Sequence, residues 1–296
     1  MAQGSAPLRW GVEKRLEFIE FRLFWEGAIN RADITAYFGV SVPQASNDLA
    51  RYQQLAPTNI RYDRSEKRYF AAAGFKPIFL RPDADRYLLQ LRSIADLVVE
   101  TGETWLSGVP AFDAMPTPRR RVDPAILRRV VDAIRRSRAI EICYQSLSRD
   151  NALWRWITPH AFGFDGLRWH VRAFCHIDRT FKDFLLPRLL ETRGDGEPIV
   201  EPSADYVWNE MVPVVLAPHP QLSEGQKRAI ALDFGMDRES ISISVRLALL
   251  YYFMKRLNLE GDPERRPARE QQIIVANKME VRAALKRATE QVPVAA

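Results

Sequence analysis

Two helices separated by a very short turn constrain the fold of this 296-residue chain more than any other feature. Asn30 is a favourable N-cap with Asp33 three positions later, and Gly39 is suited to end the short helix that follows. Ser41 then caps a second helix, Val42–Leu55. Because the connection between the helices is so short and contains a glycine, we predict a helix-turn-helix.

The segments on either side extend this unit. Leu16, Ile19 and Leu23 repeat at helical spacing in front of it, and a basic hairpin follows in which Tyr62 and Tyr69 flank a charged tip. A helix-turn-helix followed by such a hairpin is a winged helix. The alternative is an unrelated small helical domain with a surface hairpin.

The second helix of the pair has a polar face suited to reading DNA. Its inward residues are predicted to be Val42, Ala45, Leu49 and Tyr52. Gln44, Asn47 and Arg51 face the other way, and such amides can bond an adenine edge while a guanidinium can bond a guanine edge. The predicted DNA contacts are Ser41, Pro43, Gln44, Ser46, Asn47 and Arg51 on the helix and Arg61, Arg64, Lys67 and Arg68 on the hairpin. The alternative is a polar face that meets only solvent.

Positive charge is concentrated in one stretch of the chain. The net charge is +6, and residues 116–138 alone hold eight arginines and two aspartates, which equals that excess. We predict a helix here that begins at Asp123 and Pro124. Its predicted buried residues are Leu127, Val130, Val131 and Ile134. The arginine face is either a solvated surface or a surface for nucleic acid or phosphate.

After Ala139 the hydrophobic period changes to two, which predicts a small, mostly antiparallel sheet. The pair Asp165-Gly166 predicts a tight hairpin within it. One strand face is expected to carry Arg168, His170, Arg172 and Phe174, joined by Lys182, Phe184 and Arg188 if the later strand faces the same way. Such a cationic and aromatic surface can clamp phosphates and stack bases. Alternatively, His170 and Arg172 pair with neighbours in the sheet and bind nothing.

Two other regions have helical or mixed patterns. A helical connector over Pro82–Thr101 places at core spacing Leu88, Leu91, Ile94, Ala95 and Val98. The tail predicts a small α+β module with a strand Val212–Leu216, a helix after Ser223, a helix around Val245–Leu257, a strand Gln272–Ala276 and a helix Met279–Ala288.

Motifs of enzyme chemistry are missing from the sequence. It contains no GxGxxG, Walker loop, HExxH, GxSxG or paired CxxC, and the spacing of its four histidines matches no common metal site. We therefore expect no enzyme, no cofactor and no metal. Met1–Trp10 has no secretory signal, the apolar run Leu247–Met254 is too short to span a bilayer, and the two cysteines are expected to be reduced. These features predict a soluble, cytoplasmic protein.

Several segments together resemble a known family. Ile142-Cys143-Tyr144, the strand Trp156–Phe162, Trp169-His170-Val171-Arg172-Ala173 and Phe181–Leu189 resemble a WYL domain, whose core is an Sm-like β-barrel. With the helix that follows Ser41, nearly the whole chain resembles the WYL transcription regulators encoded beside bacterial phage-defence systems of the BREX and CBASS kinds. This resemblance implies an α+β multidomain protein. The implied parts are a winged helix at 1–80, a helical connector at 81–118, a WYL domain at 119–202 and a dimerising C-terminal extension at 203–296.

The resemblance also implies a function. A homodimeric repressor would bind an inverted-repeat operator near its own promoter or a defence promoter, and an anionic nucleotide or nucleic-acid ligand would release it. The implied ligand residues are Tyr144, Ser146, His160, Trp169, His170, Arg172, Lys182 and Arg188. His170 and Val171 stand where the family has its naming Tyr and Leu, and Lys182 stands where an Arg is usual. The alternative function is an accessory subunit that binds RNA or single strands for a defence nuclease or helicase.

Overall fold

The computed structural model describes residues 10–262 and 266–290, and it divides between Pro118 and Arg119 into two compact units. Residues 1–9, on which the expectation about a secretory signal depends, lie outside the described part.

The amino-terminal unit is a helical core with a small sheet. Its elements are α1 (Trp10–Glu26), β1 (Ala28–Ile29), α2 (Arg31–Phe38), α3 (Val42–Leu55), β2 (Ile60–Asp63), β3 (Arg68–Ala71) and α4 (Ala84–Ala95). The strands form an antiparallel sheet in the order β1-β3-β2. Leu16, Ile19, Leu49 and Tyr52 are fully buried where α1 and α3 pack together.

The predicted boundaries of α2 and α3 are confirmed. Asn30 and Asp33 form a reciprocal capping box at the start of α2, and Gly39 ends that helix at a φ of 65°. The side chain of Ser41 accepts a hydrogen bond from the backbone of α3. Tyr62 pairs with Tyr69 between β2 and β3, so the predicted hairpin is also confirmed.

Some predicted core positions are wrong. Val42 is 55% exposed, because it lies in the first turn of α3, which extends beyond the core under Ala45 and Leu49. On the connector, Leu91 is buried, whereas Leu88 is exposed on the outer side of α4, and Val98 is exposed because α4 ends at Ala95.

The carboxyl-terminal unit contains two sheets. Its elements are α5 (Pro124–Arg135), β4 (Ala139–Tyr144), β5 (Leu153–Phe164), β6 (Trp169–Cys175), β7 (Thr180–Leu185), β8 (Leu189–Gly196), α6 (Tyr206–Asn209), β9 (Met211–Pro218), α7 (Glu224–Asp233), β10 (Ile241–Arg246), α8 (Leu247–Arg256), β11 (Ile273–Val275) and α9 (Lys278–Thr289). The first sheet has the order β7-β6-β5-β4-β8 and the second β10-β9-β11, all antiparallel.

The five-stranded sheet is covered on both faces. On one face α5 packs through Ile126, Val130 and Ala133, whereas Leu127, a predicted core residue, is exposed. On the other face the absence of a side chain at Gly163 leaves room for Leu249, since a Cβ would lie 3.3 Å from that side chain. No ladder joins the edge strands β7 and β8 among the residues described, so the Sm-like barrel is not confirmed.

The tail is an α+β module, as the sequence predicts, with one additional strand. β10 alternates Ile241, Ile243 and Val245 with serines and pairs with β9. The predicted helix around Val245–Leu257 therefore starts later, at Leu247. The alternation in β10 is a strand signal that the sequence reasoning missed.

Candidate nucleic-acid interface and ligand site

The polar face of α3 lies on the surface of the amino-terminal unit. Pro43, Asn47 and Arg51 are exposed, and Gln44 and Ser46 are partly exposed. The Ser46 hydroxyl donates to the Val42 carbonyl 2.9 Å away, so it is already engaged along the helix. A helix with buried residues on one side and free amide and guanidinium groups on the other has the chemistry that base recognition requires.

Two residues that were not among the predicted DNA contacts, Asp48 and Arg15, hold the Gln44 side chain in place. Its amide nitrogen donates to a carboxylate oxygen of Asp48, 3.0 Å away. Asp48 is buried and receives two further hydrogen bonds from Arg15 on α1. Sequence reasoning missed both, although Gln44 and Asp48 have the i, i+4 spacing of neighbours on a helix face.

A buried carboxylate also fixes the inner face of α3. Glu20 on α1 is fully buried and accepts a hydrogen bond from the Tyr52 hydroxyl at 3.0 Å. It also accepts hydrogen bonds from the backbone N–H groups of Ile78, Phe79 and Leu80, at 2.7 to 2.9 Å. Burial raises the pKa of Tyr52 well above its usual value. Glu20 thus ties α3 to the segment that leaves the hairpin.

The hairpin presents its basic side chains to solvent. Arg61, Arg64 and Lys67 are exposed, and Arg68 is partly buried. The Arg61 guanidinium lies over the Phe70 ring, 5.1 Å from its centre, which holds the charge near the strand. Three of the four basic residues predicted to contact DNA from the hairpin are therefore exposed, and the fourth, Arg68, is partly buried.

The basic stretch before the sheet is less free than its composition indicates. Arg138 bonds the carboxylates of Asp195 and Glu197 near the end of β8, and Arg129 donates to the carbonyl of Gly194. Arg136 lies 3.1 Å from Asp132 on α5. Acidic residues distant in sequence therefore neutralise part of the local charge.

The predicted cationic face of the sheet is divided between its two sides. Directly paired residues of an antiparallel ladder share a face, and Arg172 pairs with Asp183, whereas Lys182 pairs with Ala173. The expectation that Lys182 and Phe184 lie beside His170 and Arg172 is therefore wrong. Phe184 packs in the core under α5.

Arg172 and His160 hold a buried carboxylate. The Arg172 guanidinium donates two hydrogen bonds to Asp205, at 2.7 and 2.9 Å, and the His160 ring lies 3.0 Å from the same carboxylate. A further guanidinium nitrogen lies 3.2 Å from Asp183. Burial alone would raise the pKa of Asp205, but the hydrogen bonds from His160 and Arg172 hold that pKa below its usual value. Asp205 also accepts from the backbone of Trp208 and so caps α6.

His170 belongs to a second buried pair on the same face. Its Nε2 lies 3.0 Å from Asp165, whose other hydrogen bonds come from Arg168 and the hairpin backbone. These hydrogen bonds hold the pKa of Asp165 well below its usual value against the opposing effect of burial. The Nδ1 atom of His170 is buried and has no hydrogen-bond partner among the residues described. The ring centre lies 5.0 Å from that of Tyr252 on α8.

The other predicted ligand residues are spread around the sheet. Tyr144 is buried, and its hydroxyl accepts from the backbone N–H of Leu185. Ser146 bonds Ser148 in a loop, Trp169 is 51% exposed, and Lys182 pairs with Asp178. Arg188 is partly buried. The structure therefore brings together His160, His170 and Arg172, and it leaves the other five apart from them.

Three families match successive parts of the chain. Residues 11–93 match the BrxR transcriptional regulator winged helix-turn-helix domain, and residues 125–193 match the WYL domain. Residues 211–281 match the C-terminal dimerization domain of the BrxR transcriptional regulator. None of the helices in residues 10–262 and 266–290 has both the length and the hydropathy of a membrane span.

Relatives that match nearly the whole chain share one name among themselves. A protein of Stenotrophomonas maltophilia named DNA-binding transcriptional repressor CapW is 39% identical over 95% of this chain and 94% of its own. Proteins of the same name are 36% identical in Escherichia coli (strain KTE188), over 96% of this chain and 95% of that one, and 38% identical in Pseudomonas aeruginosa, over 95% and 94%. Among solved structures, proteasome accessory factor B/C of Arthrobacter aurescens has 16% identity and a TM-score of 0.25, over 96% of this chain and 50% of its own, which is too low for a comparison of folds. The resemblance to WYL transcription regulators is confirmed, and the chain belongs to the family of the CapW transcriptional repressors.

Proposed function

We propose that this chain is a homodimeric transcriptional repressor that binds an inverted-repeat operator on double-stranded DNA in the cytoplasm. The observation that carries the proposal is the exposed face of α3, where Asn47 and Arg51 project from a helix packed on its other side. Residues 1–80 contact DNA, 81–118 connect, 119–202 sense a ligand and 203–296 dimerise. The relatives named as DNA-binding repressors and the match to a dimerization domain support this division.

The experiment is a mobility shift of the full chain on a duplex from its own upstream region. We expect tight, salt-dependent binding that a scrambled duplex does not compete away. Asn47→Ala with Arg51→Ala abolishes the specific complex, whereas Arg92→Ala, a control at an exposed arginine of α4, leaves it intact. A preference for single strands, with no preference for the upstream duplex, would instead favour the accessory-subunit function.

Release from DNA by an anionic, nucleotide-like ligand is the second part of the proposal. The Arg172 fork and the His160 ring bind a carboxylate through hydrogen bonds that a phosphate oxygen accepts equally well. The unpartnered Nδ1 of His170 offers a third polar atom on the same face. Because Asp205 occupies the fork, a ligand reaches it only by displacing that carboxylate.

Displacement has a consequence along the chain. Asp205 caps α6, which leads into β9 of the region that matches the dimerization domain. A ligand that removes the cap loosens this junction, and a changed dimer no longer fits the spacing of the operator half-sites. By the resemblance to BREX and CBASS regulators, the repressed genes are a phage-defence operon and the repressor's own gene.

The test removes the Asp205 carboxylate from the Arg172 guanidinium and offers inorganic phosphate in its place. We expect Asp205→Ala to lower the melting temperature, and inorganic phosphate to restore it more than it stabilises the wild type. Adding Arg172→Ala removes the restoration, and Asp178→Ala, a control at a carboxylate that is less buried, shows none. Equal phosphate shifts in all four proteins would mean that the fork is not an anion site.

A further inference from the structure

One hydrogen-bond chain runs from the inside of the amino-terminal unit to the exposed face of α3. Arg15 donates from Nε to Oδ2 of Asp48 at 2.6 Å and from Nη2 to Oδ1 at 3.3 Å. The Gln44 amide nitrogen donates to Oδ1 at 3.0 Å. The side chains of Arg15 and Asp48 are only 13% and 3% exposed, so this pair is fixed by its surroundings. Gln44 is partly exposed and forms the outer end of the chain.

The hydrogen bond from Gln44 to Asp48 decides which end of the Gln44 amide faces outward. A carboxylate paired with a guanidinium accepts hydrogen bonds and donates none. Asp48 therefore binds the nitrogen of Gln44 and not its oxygen. A glutamine without such an anchor can turn its amide over and exchange the two atoms, whereas this one cannot without losing the bond to Asp48.

A fixed amide still has the groups that adenine requires. The Gln44 nitrogen carries two hydrogens, and Asp48 takes one of them. The other hydrogen and the amide oxygen form a donor and acceptor pair, which matches N7 and the N6 amino group of adenine in the major groove. An adenine on the opposite strand presents these groups in the reverse order. Only an amide that has turned over can bond that edge in two places.

We propose that Asp48, held by Arg15, fixes the Gln44 amide so that α3 distinguishes A·T from T·A at one position of each operator half-site. This rests on the proposed function, because it needs α3 to lie in the major groove. Asp48 and Arg15 act here as positioning residues, and Gln44 makes the contact with the base.

The experiment is selection by the full chain from duplexes with randomised half-sites, followed by binding to the selected site and to single-pair variants. We expect the wild type to prefer A·T over T·A at one position by at least about fivefold. Gln44→Ala makes all four pairs equivalent at that position and leaves the other positions unchanged. Arg51→Ala, as the matched control, alters a different position.

Asp48→Asn separates positioning from mere structure. The shorter of the two Arg15 hydrogen bonds, from Nε, holds the new amide oxygen at the position of Oδ2. The new amide nitrogen then takes the place of Oδ1 and faces Gln44, whose own amide turns over. We expect the ratio between A·T and T·A to fall to one or to reverse, a readout that a general loss of stability does not produce. If Asp48→Asn fails to fold, Gln44→Glu is the second variant to test. Its carboxylate has no donor for N7 of adenine and lies next to Asp48, so we expect the base preference at this position to move from adenine towards cytosine.

The outcomes distinguish two kinds of failure. A wild type that selects no sequence would contradict the proposed function as a whole. A wild type that selects a clear operator, with Gln44→Ala showing the same preferences at every position, would overturn this inference alone. An unchanged ratio in Asp48→Asn would show that Asp48 does not set the amide. An adenine preference that persists in Gln44→Glu would show that Gln44 does not contact the base.

Discussion

The face of α3 and the face of β6 both carry polar residues at regular spacing, yet they differ in what those residues contact. Asn47 and Arg51 on α3 are exposed to solvent. His170 and Arg172 on β6 are each only 3% exposed and are bonded to carboxylates of the same unit. The first set is available to a partner, whereas the second already has partners within the protein.

This difference shows what the spacing of polar and apolar residues can predict without knowledge of the rest of the fold. A helix that packs on one side exposes the other, so local spacing is enough to predict the exposed residues of α3. A sheet has two faces, and whether the second is covered depends on distant parts of the chain. Here the cover comes from Asp205, Trp208 and Tyr252, none of which is near β6 in the sequence.

Arg172→Ala has the largest expected effect. It leaves the carboxylate of Asp205 buried without its guanidinium, which costs about 3–5 kcal/mol of the free energy of unfolding. Lys182→Ala, the matched control on the neighbouring strand, removes a more exposed pair and costs at most about 1 kcal/mol. Urea denaturation measures both. Similar losses in the two variants would mean that the two faces of the sheet do not differ as described.

Glu20→Gln tests whether the DNA-binding unit also depends on a buried charge. The variant weakens hydrogen bonds from Tyr52 and from the backbone at residues 78–80, and we expect a loss of about 1.5–3 kcal/mol in the free energy of unfolding. Glu13→Gln, at an exposed position of the same helix, should change it by less than about 0.5 kcal/mol. If both variants unfold at the same urea concentration as the wild type, Glu20 does not fix α3.

Arg51→Ala tests the exposed polar residues of α3 directly. We expect a loss of about 1–3 kcal/mol in discrimination between the operator and a single-pair variant of it. The free energy of unfolding should stay within about 0.5 kcal/mol of the wild type, since this side chain contributes to no core. Competition binding supplies the measurement. A loss of equal size on every duplex would show that Arg51 contacts phosphate only.

The smallest expected effect on DNA binding comes from a variant in the hairpin. Lys67→Ala should weaken binding to all duplexes alike and reduce the slope of log affinity against log salt by about 1. Glu66→Gln, one residue away in the same turn, should not reduce the slope. An effect of Lys67→Ala that depends on sequence would place this side chain against bases.

The sequence predicts most of the winged helix because its signals are local. The capping residues Asn30 and Ser41, the glycine at 39 and the register of the hairpin all act within a few positions of where they stand. Val42 is the exception, since how far the first turn of α3 extends beyond the core depends on the packing of α1.

The candidate ligand site could be predicted only in part. His170 and Arg172 do lie on one face of the sheet, and His160 joins them through the carboxylate of Asp205 that it shares with Arg172. Asp205 could not be predicted to join them, because it lies in a loop 33 positions after Arg172 and has no motif around it. Asp48 was within reach of prediction, since its spacing from Gln44 is that of helix neighbours.

The most direct test of the assignment of the exposed face of α3 to DNA recognition is competition anisotropy of the full chain on the labelled operator, with random duplex in excess. We expect the wild type to bind the operator at least about a thousandfold more tightly than random DNA. Asn47→Ala with Arg51→Ala should lose most of this selectivity while keeping the wild-type free energy of unfolding. Operator selectivity equal to that of the wild type in this folded double variant would contradict the assignment of the exposed face of α3 to DNA recognition.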